Sequence, residues 1–334
     1  MTISVLMSVY KSEKGRLLEQ ALQSVWDDQT RKPDQIVLVV DGPVPAELEQ
    51  VVQRLQAAFN VQEQQSNVNS VDFRHDSANQ ANMLPLAVPK VQSSLQSKAA
   101  EPSAQFKVQS SKFKVQSSKI LTVVKLPVNG GLTKALNVGL KHVTSDLVAR
   151  MDSDDIAAPN RFELQERFLE QHPEIDIVGG SMQEFDDEHE CLNVRHYPQT
   201  HEEACKYIVK ACPLAHPAVM MRKRMFDEGL KYDERYRMSQ DIKLWYDAIL
   251  AGYRMANLPD VCLYFRQQGD VFRRRSRVKA WNEFKIYMNG IYRMHGLFTL
   301  AYRYPIARYI FRNLPPSLVK KIYESGMRKR VLEN

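Results

Sequence analysis

Several features that define whole classes of protein are missing from this 334-residue sequence. No apolar run approaches the roughly 18 residues that a membrane-spanning helix needs. The first residues, Met1–Leu6, lack the basic stretch that opens a signal peptide. Four cysteines occur, but none belongs to a C-x-x-C pair, and a chain of this size does not depend on disulfides. We therefore expect reduced thiols and a cytoplasmic protein, either soluble or peripheral on the inner face of the cytoplasmic membrane.

The glycine-rich fingerprint of dinucleotide-binding folds is also missing. That fingerprint, G-x-G-x-x-G, follows the first strand of such folds, whereas residues 9–15 of this chain read VYKSEKG. A dinucleotide-dependent oxidoreductase is therefore a weak alternative, although its alternation of strands and helices would suit the sequence.

The net charge of +7 is concentrated at the C-terminal end. Residues 273–334 hold 15 Lys/Arg and 3 Asp/Glu, a net charge of +12, so the first 272 residues carry −5. We expect this basic extension to meet something anionic. Trp281, Phe284 and Tyr287 recur there at helical spacing, which fits a helix lying on an anionic membrane or a helical cap packed on the rest of the protein. Nucleic acid is not an expected partner, because no recognised binding motif accompanies the charge.

Strand and helix patterns alternate over most of the chain. Short apolar or alternating runs predict strands, and apolar residues at helical spacing between them predict helices. This alternation is typical of an α/β fold with a mostly parallel central sheet and helices on both faces. Ligands of such sheets bind at the carboxyl ends of the strands. The predicted strands are Ile3–Val9, Ile36–Val40, Ile120–Leu126, Leu147–Met151 and Ile175–Val178.

Residues 62–119 interrupt the alternation. They are rich in Gln, Ser, Asn and Lys, and the heptapeptide FKVQSSK occurs twice in tandem from Phe106. We expect a low-complexity, disordered insertion, with a small strand-like or partner-binding element as the alternative. The predicted division is a main domain of residues 1–61 and 120–272, this insertion, and a C-terminal helical extension of residues 273–334.

An acidic motif, Asp152-Ser153-Asp154-Asp155, directly follows the predicted strand Leu147–Met151. Three carboxylates in four residues repel one another unless a cation holds them together. Oxygen ligands suit a hard divalent ion such as Mg²⁺ or Mn²⁺. The alternative is a solvated acidic turn that leads into the next helix.

Four motifs occur in an order that resembles family-2 glycosyltransferases of the GT-A (Rossmann-like) fold. The first motif follows the first predicted strand, and the last contains the acidic residues. In chain order they are Ser4–Tyr10 (SVLMSVY), Leu38–Gly42 (LVVDG), Asn129–Asn137 (NGGLTKALN) and Ala149–Asp155 (ARMDSDD). The resemblance covers about residues 2–60 and 120–270 and implies a transferase that uses a nucleotide-sugar donor.

The resemblance also implies roles for particular residues. The glycines of the third motif let the backbone approach ribose and phosphates closely, since glycine adds no Cβ. Asp152 and Asp154 are the implied metal ligands, and Asp155 is a weaker candidate. The implied donor-binding residues are Val9, Tyr10, Asp41, Gly131, Asn137, Asp152 and Arg266. For Tyr10 and Asp41 the alternative is a role in turn formation and packing.

Asp241 is the implied catalytic base. The segment Met238–Trp245 (MSQDIKLW) resembles the family's acidic motif before a helix with Leu-Trp, although Gln240 stands where Glu is commoner. Ser239 is placed to cap that helix, and Asp241 falls in its first turn, where the helix dipole favours the ionised carboxylate. Attack by an activated acceptor hydroxyl would invert the anomeric centre. The alternative for Asp241 is a helix-capping surface carboxylate.

His216 and the pathway are less sharply defined. His216 lies in a His-Pro segment and would contact the acceptor or a phosphate, or serve as a hydrogen-bonded structural histidine. The resemblance favours bacterial surface polysaccharide or lipopolysaccharide synthesis, with a glycan or lipid-linked glycan as acceptor. Alternatives are a catalytically inactive sugar-nucleotide-binding scaffold and a nucleotidyltransferase. The donor sugar and the linkage cannot be deduced from the sequence.

Overall fold

The computed structural model describes residues 1–71, 114–117, 120–186, 192–267 and 277–314. One central sheet carries all the strands that it describes. The strands are β1 Ile3–Val9, β2 Gln35–Val40, β3 Lys114–Ser117, β4 Leu121–Lys125, β5 Leu147–Met151, β6 Ile156–Ala157, β7 Ile177–Phe185, β8 Val194–Arg195, β9 Met220–Arg222 and β10 Met255–Arg266. The helices are α1 Gly15–Trp26, α2 Ala46–Val71, α3 Leu132–Leu140, α4 Arg161–Gln171, α5 His201–Tyr207, α6 Arg224–Asp227, α7 Gln240–Leu250, α8 Arg277–His295 and α9 Arg303–Asn313.

The sheet is mixed, with a parallel half and a half that contains antiparallel pairs. Its order is β3-β4-β2-β1-β5-β9-β7-β10-β6, and β8 pairs with β7. Strands β4, β2, β1 and β5 are mutually parallel. β9 runs antiparallel to both β5 and β7, while β10 runs parallel to β7. The carboxyl ends of β1, β2 and β5 therefore meet at one edge, because Met7 lies opposite both Leu38 and Met151.

Helices cover both faces of the sheet and divide the apolar core into two clusters. On one face, Leu18 of α1, Val52 of α2 and Phe162 of α4 pack on the strands. On the other face, Leu136 of α3 and Trp245 of α7 do the same. Every residue of β2 is buried as a result, which explains the unbroken apolar run Ile36–Val40.

The region of the predicted insertion is only partly described. α2 extends into this region, since it ends at Val71. β3 pairs antiparallel with β4 at the edge of the sheet, with Val115 opposite Val124. This strand fits the strand-like alternative for part of residues 62–119. The remaining prediction of disorder falls on residues 72–113 and 118–119, which lie outside the described residues, and the domain division stays a prediction.

The C-terminal extension packs on the second core cluster. Ile286, Tyr287 and Ile291 of α8 are buried there, and the rings of Tyr287 and Tyr246 meet edge to face at 5.9 Å. This packing fits the helical-cap interpretation for the inner face of α8. Among the helices that the structure describes, none combines the length and the apolar character needed to cross a membrane.

Candidate functional site

Asp41 links the carboxyl ends of β1 and β2. It also holds the loop Asn129–Gly131 that precedes α3, which we call the glycine loop. The backbone N–H of Asp41 donates to the carbonyl of Val9 at 2.8 Å. Its carboxylate accepts hydrogen bonds from Gly130 N at 2.7 Å, Gly131 N at 2.8 Å and Asn129 Nδ2 at 3.0 Å. Asp41 is buried, so these bonds supply the partners that a buried carboxylate needs. Asp41 and Gly131, which the resemblance assigns to donor binding, are therefore hydrogen-bonded to each other.

The glycine loop and the turn after β2 both depend on backbone conformations with positive φ, which residues with a side chain rarely adopt. Gly131 has φ +86° immediately before α3, and Gly42 has φ +83°. A Cβ on Gly42 would lie 2.4 Å from the backbone nitrogen of Asn129. The close approach of the loop after β2 to the loop before α3 therefore requires glycine at position 42. The side chain of Val9 is buried, whereas Tyr10 is 43% exposed at the same sheet edge.

Three carboxylates meet just beyond β5. One ligand oxygen from each of Asp152, Asp154 and Asp155 lies within 4.8 Å of the others. Asp155 Oδ1 accepts the backbone N–H of Arg266 at 2.9 Å, while Asp155 Oδ2 is buried and has no hydrogen-bond partner among the described residues. A buried carboxylate oxygen without a partner, beside two further carboxylates, fits an all-oxygen site for Mg²⁺ or Mn²⁺.

We call Asp152, Asp154 and Asp155 the acidic cluster. The pKa values of its members reflect the crowding of the carboxylates. Burial raises the pKa of Asp154, and the charge of Asp152 raises it further. The pKa of Asp155 is raised well above its ordinary range, first by burial and then by Asp152 and Asp154. Each shift shows that the negative charge lacks full compensation from the protein. A divalent cation would supply that compensation.

Glu13 is a fourth carboxylate at this site that the sequence analysis missed. It lies in the segment between β1 and α1, and its pKa is raised to about 7 by burial and by the charges of Asp154 and Asp152. A hydrogen bond with Ser153 opposes that shift. The signal was present in the sequence, because Glu13 follows a strand whose carboxyl end lies at the binding edge.

A buried arginine underlies the acidic cluster and was also missed. Arg150 is 2% exposed, and its Nη2 forms an ion pair with Asp152. Its Nε and Nη1 are buried without hydrogen-bond partners in the described part of the chain. The charge of Arg150 lowers the pKa of Asp154, Asp155 and Asp241 against the effect of burial. An arginine within an otherwise apolar buried strand was the available signal, since such a charge needs acidic partners.

Asp241 lies in the first turn of α7, as predicted. Burial raises its pKa, and the backbone N–H of Ile242 opposes that effect. The thiol of Cys212 donates to Asp241 Oδ2, with Sγ at 3.8 Å from that oxygen. The expectation that Ser239 caps α7 is wrong: Ser239 adopts a left-handed conformation with φ +61° and makes no side-chain cap. Its hydroxyl donates instead to Glu283 Oε1 of α8 at 3.1 Å, so the C-terminal extension supports the start of α7.

Asn137 and Arg266 have structural bonds in addition to their implied roles. Asn137 Nδ2 donates to Tyr232 O at 2.8 Å, and Asn137 Oδ1 accepts from Tyr232 N at 3.0 Å. Arg266 is buried, and its Nε donates to the carbonyl of Asp154 at 3.0 Å. Arg266 thus holds the backbone of the loop that carries the acidic cluster. Donor contacts of both residues stay predictions.

His216 lies below the site rather than on an open surface. Its Nε2 is 2.8 Å from the hydroxyl of Tyr232, and its ring meets that of Trp245 at 5.9 Å. Burial, helped by the charge of Arg150, lowers its pKa well below the ordinary value. A buried, neutral and hydrogen-bonded ring fits the structural alternative, and contact with an acceptor or phosphate stays a prediction.

A cavity of about 330 Å³ opens beside the glycine loop. The start of α3 forms one wall, and the segment before α7 forms the other. Lys134 and Arg237 contribute cations and Glu234 a carboxylate. The two walls are fixed to each other, because Thr133 Oγ1 donates to Tyr236 O at 2.7 Å. The cavity therefore lies between the glycine loop and the segment that leads into α7, the helix of Asp241.

Comparison with known proteins gives concordant matches. Residues 107–230 match the family model described as Glycosyl transferase family 2. The chain is 35% identical to an uncharacterized glycosyltransferase of Haemophilus influenzae, over 98% of this chain and 100% of that protein. It is 30% identical to the amylovoran biosynthesis glycosyltransferase AmsE of Erwinia amylovora, over 96% of this chain and 97% of AmsE.

A solved structure shares the fold. The mannosyltransferase PcManGT from Pyrobaculum calidifontis, in complex with GDP-Man and Mn²⁺, matches with a TM-score of 0.55 and 12% identity. The match covers 98% of this chain and 75% of PcManGT. The predicted α/β fold of the GT-A type, with helices on both faces of a central sheet and C-terminal helices, is confirmed. The sheet was predicted to be mostly parallel and is mixed, because β3, β6, β8 and β9 pair antiparallel with their neighbours.

Proposed function

Because the chain belongs to glycosyl transferase family 2, we propose that it transfers a sugar from a nucleotide diphosphate to an acceptor hydroxyl with inversion, in a reaction that depends on a divalent metal. The resemblance seen in the sequence motifs is confirmed at the level of family and glycosyltransferase activity. Inversion, metal dependence and the roles of individual residues are the parts that we propose.

Asp152 and Asp154 are the proposed metal ligands, and Asp155 and Glu13 border them. Support comes from the convergence of the three aspartates within 4.8 Å and from the raised pKa values of Asp154 and Asp155. When bound, Mn²⁺ or Mg²⁺ supplies positive charge beside the donor diphosphate, where negative charge grows as the sugar departs. The Mn²⁺ in the PcManGT complex favours the same metal class for this chain.

The donor is proposed to lie across the ends of β1 and β2 and against the glycine loop. Tyr10 offers an exposed ring for the nucleotide base. Gly131 offers close backbone approach beside the N-terminal end of α3, where free N–H groups favour phosphate oxygens. Val9, Asp41, Asn137 and Arg266 would complete the site, Asp41 in large part by fixing the loop that binds the donor.

Asp241 is the proposed general base. The observation that carries this assignment is Arg150, whose buried charge acts on both the acidic cluster and Asp241. The acidic cluster after β5 and Asp241 on α7 are therefore both within reach of the same buried charge. A raised pKa makes Asp241 a better proton acceptor than an exposed aspartate, which suits removal of a proton from a hydroxyl. One base and one leaving diphosphate on opposite sides of the anomeric carbon give inversion.

The acceptor is proposed to be a glycan or lipid-linked glycan of a bacterial surface polysaccharide. The name of AmsE, a biosynthetic enzyme of amylovoran, supports this class. A protein acting on such an acceptor would work in the cytoplasm, with peripheral contact between its basic extension and an anionic membrane. The inactive-scaffold alternative is not favoured, because Asp154 and Asp241 are both present at the site.

Two substitutions separate donor binding from transfer. We expect Asp154→Ala to abolish Mn²⁺-dependent donor binding, because the metal loses a ligand. We expect Asp241→Asn to retain donor binding and to slow transfer by about 10²–10⁴-fold, the usual contribution of a general base. Asp247→Asn on the same helix is the matched control, since Asp247 is partly buried like Asp241 but pairs with Lys243 and Arg293 and has no proposed part in transfer.

The measurements are donor titration by calorimetry and transfer under single-turnover conditions with saturating donor. Wild-type transfer by Asp241→Asn would refute the base assignment. Metal-independent donor binding by wild type and Asp154→Ala alike would refute the metal assignment. A folded wild-type protein that binds donor but transfers to no glycan acceptor would favour the inactive scaffold.

A further inference from the structure

The turn between α8 and α9 carries three strongly exposed apolar side chains. Leu297 is 67% exposed, Phe298 100% and Leu300 81%. We call these three residues the apolar tip. Single exposed apolar residues are common on protein surfaces, but three within four positions form a patch that calls for a partner.

The apolar tip is held in place by hydrogen bonds within its own turn. Gly296 ends α8 with φ +74°, and its N–H donates to Tyr292 O at 2.9 Å. The hydroxyl of Tyr302 donates to Gly296 O at 2.9 Å, and Thr299 Oγ1 accepts from Ala301 N at 3.2 Å. The fold therefore fixes the apolar side chains outward, away from the core.

Helix α9 turns arginines toward the protein and isoleucines toward solvent. Arg312 forms an ion pair with buried Glu283 of α8 at 2.7 Å, and Arg308 lies 4.7 Å from the ring of Tyr287. These arginines face the protein, whereas Ile306 and Ile310 are 43% and 57% exposed. Because residues four apart share a helix face, the two isoleucines form a second exposed apolar stripe, on the helix that follows the apolar tip.

The apolar tip lies in a basic segment and is flanked by exposed arginines. Residues 277–314 contain seven Lys/Arg and one Asp/Glu. Arg293 and Arg303 flank the apolar tip and are exposed. A second copy of this chain is an unfavourable occupant, because the two surfaces would bring the same positive charge together. An anionic lipid surface satisfies both properties, since its headgroups attract the arginines and its acyl boundary accepts the apolar side chains.

We propose that the apolar tip and the Ile306–Ile310 stripe insert into the interface of an anionic bilayer. This inference rests on the proposed function for its purpose, which is to bring the catalytic site to a lipid-linked acceptor. It goes beyond a general attraction of the basic extension to membranes, because it assigns the contact to named side chains. Its test requires no catalysis.

The test is binding of the full-length protein to sedimented vesicles. We expect wild type to bind vesicles that contain phosphatidylglycerol about tenfold or more tightly than vesicles of phosphatidylcholine alone, since anionic headgroups attract the basic residues. The double substitution Phe298→Glu and Leu300→Glu should weaken binding to the anionic vesicles by about tenfold or more. Val278→Glu is the control for a carboxylate placed at an exposed apolar position outside the apolar tip, and it should change binding by less than about twofold. Val278 is 66% exposed and lies on α8 roughly 28 Å from the apolar tip, at 1.5 Å per residue.

Several outcomes would overturn the inference. These are failure of folded wild type to bind anionic vesicles, unchanged binding by the double variant, and equal losses from Val278→Glu and the double variant. Light scattering supplies a further outcome, because a wild-type dimer that the double variant lacks would assign the apolar tip to an interface between copies. Transfer to a water-soluble acceptor, measured in parallel, keeps the two hypotheses apart. Normal transfer without vesicle binding overturns only this inference, whereas vesicle binding that requires the apolar tip supports it even if transfer fails.

Discussion

In most proteins charged side chains are exposed and apolar side chains are buried. The acidic cluster beyond β5 and the apolar tip between α8 and α9 both depart from this distribution, the first by burying charge and the second by exposing apolar surface. At the acidic cluster, Asp155 and Arg150 are buried charges. At the apolar tip, Phe298 is an apolar side chain that is fully exposed. Both arrangements are unfavourable for the protein alone, since buried charge loses hydration and exposed apolar surface orders water. Each arrangement therefore indicates a partner, a cation and a phosphorylated donor for the first and a lipid surface for the second.

The two regions also differ in how the chain fixes them. Arg266 ties Asp154 and Asp155 to β10 through hydrogen bonds between distant parts of the chain. At the same sheet edge, Asp41 ties the glycine loop to the end of β2 in the same way. The apolar tip is a single local turn. Substitution should therefore disturb the fold strongly at the first region and weakly at the second.

The largest expected effect in this comparison comes from Asp41→Asn. An amide offers one acceptor oxygen in place of two and cannot satisfy the three donors from the glycine loop. We expect the free energy of unfolding to fall by about 1.5–3 kcal/mol without ligand, the usual contribution of hydrogen bonds to a charged group. Urea denaturation measures this change.

The control for Asp41→Asn is Asp27→Asn, because the Asp27 side chain is 58% exposed and should change stability by less than about 0.5 kcal/mol. If Asp41→Asn were as stable as wild type yet bound donor poorly, Asp41 would act on the ligand alone. The loop-fixing role would then be wrong.

An intermediate effect is expected from metal and pH at the acidic cluster. The pKa of Glu13 is raised from 4.5 to about 7, and those of Asp154 and Asp155 are also raised. The folded protein therefore binds more protons than the unfolded chain in this range, and its stability without metal falls as pH rises through it. Mn²⁺ competes with these protons and should raise the Tm more at about pH 7.5 than at about pH 5.5.

The expected rise at the higher pH is about 2 °C when Mn²⁺ is present at about ten times its Kd, which corresponds to about 1.4 kcal/mol. Thermal melting followed by circular dichroism, with Asp154→Ala as the metal-blind control, measures it. An equal rise in wild type and in Asp154→Ala would place the Mn²⁺ effect elsewhere.

The smallest expected effect belongs to the apolar tip. Phe298→Glu should change the free energy of unfolding in solution by less than about 0.5 kcal/mol, because the side chain contacts solvent and loses no packing. Chemical denaturation of wild type and variant measures the difference. A loss above about 2 kcal/mol would mean that Phe298 is packed in solution, and the comparison between the two regions would fail.

The sequence predicted the parallel half of the sheet and much of the acidic cluster because both depend on local patterns. β5 was predicted with the bounds that the structure has, and the aspartates that follow it meet as expected. β9 was not predicted, because a three-residue antiparallel strand has too few residues to show a period. Glu13 and Arg150 each had a signal in the sequence, the end of the first strand and the interior of an apolar strand. That signal did not show their proximity to the acidic cluster, which depends on the folded arrangement.

Asp41 shows a different limit. Its place at the end of β2 was clear from the sequence, but its bonds to the glycine loop join residues almost 90 positions apart. Pairings of that kind become visible only when the sheet order is known. The same holds for Ser239, whose sequence context predicted a cap and whose hydroxyl instead bonds to Glu283 of α8.

The most direct test of the central claim is calorimetric titration of the wild-type protein with UDP-, GDP- and dTDP-sugars, each with and without Mn²⁺. We predict that one nucleotide class binds and that its affinity falls by at least about tenfold when the metal is removed, because metal charge supports the diphosphate. Absence of binding by any of these donors to a demonstrably folded protein would contradict the account, as would equal affinity with and without metal.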